Sequence, residues 1–346
     1  MIIEKRIAFI IPIFSEMGIV DISKEAGLPE DRLICLLRQL TAVNIFREPS
    51  SRVFAHTTSS AVLTDPEFAN AIDLILHKLD VDFKSAGYFP EALDRWEDKM
   101  DHVQKQQLRT AFNLAFKTDQ HFFDYIYSPE NISRYGERFN RGMVGETTAL
   151  IDEVFDLYDW TVFNAGDKIV DVGVGLGHVG DKIARRVKSG VEIVVQDQPS
   201  VIEQRRRIHD SLTFQVYDFF HGEQPVVGAK VYYLRHILHD WPDEICRTIL
   251  RPLHRAMDSD SKVLICELVV KRDSFWAVGK NDRDLVEGWG PEKRFWGVRS
   301  MTMSMLFNAK ERTDAQWRAL LNSAGFKVCQ VYGYNLAQSL IEAVKQ

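Results

Sequence analysis

The spacing of apolar positions changes period along the chain. From Asp21 it predicts a short helix, Ile22 to Ala26, a Gly27-Leu28-Pro29 turn and a longer helix from Glu30 to Val43, whose Leu33, Leu36, Leu37 and Leu40 recur at helical spacing. Arg52 to His56 suits a small wing strand, which completes the outline of a winged helix-turn-helix. Residues from about Ala69 to Leu157 keep a helical pattern rich in aromatics: Phe112, Phe116, Phe122, Phe123, Tyr125 and Tyr127. After Gly166 strand-like runs alternate with helices. The runs are Lys168 to Val172, Val191 to Gln196, Thr213 to Tyr217, Lys230 to Leu234 and Lys262 to Leu268, with helices near Val179 to Lys188 and from Asp243 to Met257. That alternation is the signature of a parallel, doubly wound α/β domain. A helix from Thr313 to Ala324 precedes Phe326 to Tyr332 and Ser339 to Ala343, which would add a hairpin to one edge.

With 346 residues the chain suits two domains and a connector: 1–95 winged-helix, 96–160 helical, 161–346 α/β. A composition that is 45% hydrophobic and 11% aromatic excludes disorder. The charge sum, 43 Lys and Arg against 49 Asp and Glu, is −6, and no basic block could follow a line of phosphates. The candidate recognition helix opens Pro29-Glu30-Asp31 and offers only Arg32 and Arg38 as cations, so a packing or dimerisation role is expected rather than DNA binding. Cys35, Cys246, Cys266 and Cys329 form no C-x-x-C pair, as expected of reduced thiols in a cytoplasmic protein. The apolar run Ile7 to Phe14 is short and broken by Pro12, which predicts neither signal peptide nor membrane span.

The chemistry concentrates at expected strand ends. In Asp171-Val-Gly-Val-Gly-Leu-Gly177 three alternating glycines let backbone approach a ligand where side chains would collide. Asp197 follows Gly177 by 20 residues, at the next strand end, where its two oxygens could accept both hydroxyls of a ribose. Asp218, followed by Phe219 and Phe220, sets a polar acceptor beside flat apolar surface suited to a purine. Gly175-Leu-Gly177-His-Val-Gly180 also matches a dinucleotide fingerprint, but Asp171 and Asp181 would face a pyrophosphate, and the acidic surround suits a cationic, phosphate-free nucleoside better. The run Arg235-His-Ile-Leu-His239-Asp240-Trp-Pro-Asp-Glu244 falls at the fourth strand end. His236 and His239 lack a third metal-ligand partner at the usual spacing, so no metal is expected. His239 is a candidate general base, oriented by Glu267 or Glu311, while Asp240 doubles as a candidate helix cap before Pro242.

This order of motifs, closed by Asn308-Ala-Lys-Glu-Arg-Thr313, resembles the S-adenosylmethionine-dependent O-methyltransferases of the plant caffeate/flavonoid type, and more closely their fungal natural-product relatives, over essentially the whole chain. The resemblance implies a class I methyltransferase, Rossmann-like sheet behind an all-α winged-helix dimerisation domain, S-adenosylmethionine as cofactor, a small aromatic or polyketide-like acceptor and a homodimer. It implies His239 as base with Glu267 and Glu311 beside it. Asp171, Gly173, Gly175, Gly177, Asp197, Asp218, Phe219 and Arg235 would hold the cofactor. Phe116, Met143, Asp240, Met301, Met305 and Asn308 would meet the acceptor. Val174 stands where the family usually has glycine, and the family begins with a longer interlocking arm than this chain shows. The fungal group includes pericyclases that keep the cofactor bound without consuming its methyl, so rearrangement remains the alternative to methyl transfer.

Overall fold

Ile7, Ile19, Ile22, Leu33, Leu37, Phe46 and Phe54 are almost inaccessible to water, and their burial gathers the first of two units, residues 1–80 with 137–146. The computed structural model describes residues 2–96, 108–150, 152–173, 175–204, 211–270, 291–334 and 336–346, so Val174 and the start of the expected connector after residue 96 lie outside the described residues. The helices Ile19–Ala26 and Glu30–Ala42 meet at Gly27, which takes a left-handed φ of 63° to turn the chain. This unit is not all-α. Strands β1 (Glu16–Gly18), β2 (Phe46–Ser50) and β3 (Val53–His56) form an antiparallel sheet in the order β1-β3-β2. The reason is local: Phe46 and Phe54 bury on it, and buried His56 bonds Ser60 through Nδ1 and the carbonyls of Ala8 and Ile11 through Nε2.

The second unit, residues 81–136 with 147–346, is built on a seven-stranded mixed sheet ordered β11-β12-β8-β7-β4-β5-β6. Its strands are β4 (Lys168–Val172), β5 (Glu192–Asp197), β6 (Leu212–Val216), β7 (Val231–Arg235), β8 (Lys262–Glu267), β11 (Phe326–Tyr332) and β12 (Ser339–Lys345). β4 to β8 pair in parallel, within a residue of the expected runs, and the β11–β12 hairpin joins antiparallel to β8. The helix expected to reach Lys188 stops at Ala184. One face of the sheet packs under the helices Asp243–Ala256 and Asp314–Ser323, the other under residues 154–163 and the helix His178–Ala184. From β4 the chain winds outward to β5 and β6, then returns to place β7 on β4's other side. That reversal is where open α/β sheets bind ligands, at the carboxyl ends of the strands. A short parallel pair, β9 (Val269–Val270) with β10 (Arg312–Thr313), brings the chain around Glu311 back beside the end of β8.

Candidate active site

The loop after β4 presses on the loop after β7. Gly173 has φ 74°, a left-handed backbone that strains any other residue, and a Cβ there would stand 2.5 Å from Ile237 Cδ1 and 3.6 Å from the Phe219 ring, so the Ile237 side chain would also have to shift. Gly175 and Gly177 are also left-handed, and the Gly175 N–H donates to Asp197 Oδ2 at 2.7 Å. The Gln198 N–H donates to Asp197 Oδ1 at 2.7 Å. Burial nonetheless outweighs these bonds and raises the Asp197 carboxyl to about 6. Asp171 is fully buried. Desolvation pushes its pKa well above the carboxylate range against the opposing charge of Arg235; the Gly180 N–H faces the carboxyl, but neither oxygen completes a hydrogen bond of ordinary geometry among the described residues. Arg235, at the end of β7, donates from Nε to Gln338 Oε1 at 3.4 Å. Asp218 accepts from the Phe220 N–H at 2.8 Å and pairs with His221 Nδ1 at 2.8 Å. Phe219 packs edge-on against Phe220, and Phe220 against Trp241.

His239 lies in a short turn, Leu238–Asp240, among three carboxyls. The two glutamates divide the work. Glu311 Oε1 lies 2.9 Å from His239 Nδ1 in a direct hydrogen bond, whereas Glu267 Oε2 stays 3.6 Å from that nitrogen. Glu267 Oε1 instead accepts the backbone N–H groups of Ile237, Leu238 and His239 at 3.1, 3.0 and 3.3 Å, capping the turn from the neighbouring strand. Asp240 Oδ1 stands 3.4 Å from His239 Nε2. Asp240 is no helix cap: Trp241 is extended and Pro242 occupies the cap position. Burial alone would depress the imidazole, but Glu267, Glu311 and Asp240 outweigh it and raise His239 to about 10. Burial pushes Glu311 up, yet the charge and hydrogen bond of His239, together with Arg299, hold it at about 2. For Asp240 burial wins over His239 and lifts it to about 7. His239, Glu267 and Glu311 each bring a ligand atom within 4.8 Å of the others, close enough to hold a cation, a grouping that the spacing of His236 and His239 did not reveal.

The residues expected to meet an acceptor scatter more widely. Asp240 lies beside His239, with Oδ1 3.4 Å from its Nε2. Asn308, with φ 52°, donates from Nδ2 to the Arg109 carbonyl at 2.9 Å. Phe116 stacks on Phe112 at 4.6 Å, beneath Lys84 Nζ. Met305 is buried against Ala92 and Ala111, whereas Met301 on the same helix, Pro291–Phe307, is half exposed. Met143 belongs to the other unit and is half-buried there.

Two participants, Arg312 and Arg299, escaped the sequence reading, and His236 entered it only as a metal candidate. Arg312, wholly buried, donates to the Leu238 and Trp241 carbonyls at 2.7 Å each and to Asp243, fixing the His239 turn from beneath. Its signal was adjacency: Glu311 serves the imidazole and the next residue serves the turn. Arg299 Nε lies 3.3 Å from the same Glu311 oxygen that holds His239. The His236 ring, on a backbone of φ 52°, stacks on His239 with centroids 5.0 Å apart.

With this geometry in hand, the likeness to known proteins is informative. Residues 96–327 match the O-methyltransferase domain family. The O-methyltransferase asqN of Emericella nidulans is 34% identical over 302 residues, covering 83% of this chain and 91% of that one. OxaC, solved in complex with SAH and oxaline, superposes with a TM-score of 0.81 at 22% identity, over 100% of this chain and 83% of that one. A structure described as a pericyclic reaction enzyme gives 0.76 at 21%, over 99% and 86%. The family match and the relative's identity over most of both chains place the protein in the O-methyltransferase domain family.

Proposed function

We propose that the protein transfers the methyl group of S-adenosylmethionine to a hydroxyl oxygen of a small aromatic or polyketide-like acceptor, with His239 as general base. The observation that carries this reading is the 2.9 Å bond from His239 Nδ1 to Glu311: it orients the ring at the sheet's switch point and leaves Nε2 for the acceptor. The cofactor side fits a cationic nucleoside. Asp171 offers two buried oxygens that complete no hydrogen bond of ordinary geometry among the described residues, and Asp197 keeps lone pairs for a diol beside its two backbone bonds. A Cβ at Gly175 would meet only open space, which leaves that backbone approachable. When bound, the cofactor supplies an electrophilic methyl on a sulfonium.

In the proposed reaction His239 Nε2 would take the proton of the acceptor hydroxyl as that oxygen's electron pair bonds the methyl carbon, and the bound cofactor would supply that methyl and keep the electron pair of its former bond to sulfur. Neutral imidazole is required, so the cage that raises His239 to about 10 places the working range on the alkaline side. Glu311 stabilises the imidazolium that forms, Glu267 holds the turn, and buried aromatics exclude water. Asp218 and Phe219 would flank the adenine, with Arg235 supporting the loop, while Phe116, Met143, Asp240, Met301, Met305 and Asn308 are proposed to meet the acceptor.

The same raised pKa favours a second reading. An imidazolium is a donor that could polarise a carbonyl, and with a cationic cofactor could steer a rearrangement without methyl loss. Mass spectrometry of extracted metabolites incubated with cofactor separates the two: a product heavier by one methylene supports transfer, and a product of unchanged mass supports rearrangement.

We further propose that the N-terminal unit is a winged-helix dimerisation module in a cytoplasmic homodimer. Phe9, Ile13, Phe14 and Val20 are exposed apolar residues there, and Glu30, at the start of the candidate recognition helix, pairs with Arg52. A dimer by light scattering and no salt-sensitive DNA binding are expected. Among the described residues no helix is long and apolar enough to cross a membrane.

A further inference from the structure

Of the three buried histidines outside the His239 turn among the described residues, His56, His77 and His121, the first and last invite comparison. His56 satisfies both ring nitrogens with protein groups: Nδ1 with Ser60, Nε2 with two backbone carbonyls. His121 does not. It precedes the helix Phe122–Ile126, and its Nδ1 accepts the Phe123 N–H at 3.4 Å. A neutral imidazole has one N–H, so this bond assigns the proton to Nε2. That Nε2 is enclosed, with no hydrogen-bond partner among the described residues, and the residue is only 8% exposed. A buried donor left unmatched is unfavourable unless a ligand supplies its acceptor.

The surroundings specify the ligand. The His121 ring lies parallel on Trp241, centroids 4.5 Å apart and planes 14° apart, two residues after His239. Phe123 and Phe307 stand at 5.6 and 6.2 Å, and the two phenyl rings stack on each other at 5.7 Å. These rings pack on one another around one polar group, a composition suited to orienting a flat molecule through a single oxygen. We infer that His121 is a recognition residue whose Nε2–H donates a hydrogen bond to an oxygen of a planar aromatic acceptor. Burial lowers its pKa to about 4, so the ring is neutral and offers this one donor across the range in which His239 works. The inference rests on the acceptor reading above only for where the ligand sits.

The test uses the full chain saturated with S-adenosylhomocysteine and two probes, 1-naphthol and naphthalene, which differ by one oxygen. His121→Phe keeps a flat ring on Trp241, and His121→Asn keeps a side-chain acceptor for the Phe123 N–H; both remove the Nε2 donor. Each variant is expected to weaken 1-naphthol about tenfold or more while leaving naphthalene and S-adenosylhomocysteine within about twofold. In ¹⁵N-histidine spectra of the wild type, the His121 Nε2 proton should move downfield with 1-naphthol and not with naphthalene. Unchanged 1-naphthol affinity, equal loss of both probes, a ring protonated on Nδ1, or no 1-naphthol binding would each overturn it. Failure of S-adenosylhomocysteine to bind the wild type would instead count against the methyltransferase reading, so the two failures are distinguishable.

Discussion

Two loops meet at the switch between β4 and β7, and they are finished differently. The backbone of the turn that carries His239 is satisfied by its own chain: Glu267 takes three of its amides, Arg312 takes two of its carbonyls, and Cys246 Sγ lies within bonding reach of the same carbonyls, while Glu267 Oε2 and Glu311 Oε2 have no hydrogen-bond partner among the described residues. The glycine loop beside it gathers carboxyls instead. Asp171 completes no hydrogen bond of ordinary geometry among the described residues, and burial lifts both Asp171 and Asp197. The first arrangement fixes a proton-handling group before any ligand arrives. The second conserves acceptor capacity for a ligand that brings donors and positive charge.

The contrast makes the loops separable by mutation. His239→Ala should lower turnover by ~10²-fold or more with S-adenosylhomocysteine affinity nearly unchanged, measured by methyl transfer and calorimetry. Arg312→Met should lower unfolding free energy by ~2–4 kcal/mol in urea titration, because two buried carbonyls lose their donors. An equal loss from Asp197→Ala would erase the distinction. That variant should instead weaken S-adenosylhomocysteine by ~1.5–3 kcal/mol per lost charge-assisted bond while the protein stays folded.

The smallest effect is in pH dependence. kcat/KM of the wild type should rise with pH toward about 10 as His239 loses its proton, and Glu311→Gln should move that limb to lower pH by removing a carboxylate. Stability should follow the same group. His239 has a folded pKa above its unfolded value, so its contribution is full below ~6.5 and is lost as pH rises through about 10. Asp240, raised to about 7 by burial, erodes stability in the same direction from lower pH. A flat melting temperature between those limits would show that the cage does not hold the imidazole as described.

Much of this was legible in sequence because β4, β5, β7 and β8, largely buried on both faces, read as apolar runs, and these strands with the half-buried edge strand β6 begin and end within a residue of the expected runs. Asp171, Asp197, His239 and Glu267 were found for the same reason: each marks a strand end. Glu311 came from the resemblance and from its motif. What stayed hidden depends on tertiary crossings. Arg299 sits on a helix with no dominant apolar face, so nothing in its spacing points to Glu311, 12 residues away. Met301 and Met305, four residues apart, share one face of that helix, yet the first is half exposed and the second buried, a difference along the axis that helical spacing does not reveal. His121, next to the aromatic run that begins at Phe122, was not singled out, because only the fold shows its second nitrogen without a partner among the described residues.

The most direct test of the central claim is transfer of an isotopically labelled methyl from S-adenosylmethionine to acceptor oxygen, followed for wild type and His239→Ala in parallel. The account predicts a labelled methyl ether from the wild type and its near loss in the variant, with S-adenosylhomocysteine still bound. A labelled product formed equally fast by His239→Ala, or a wild-type product of unchanged mass, would contradict it.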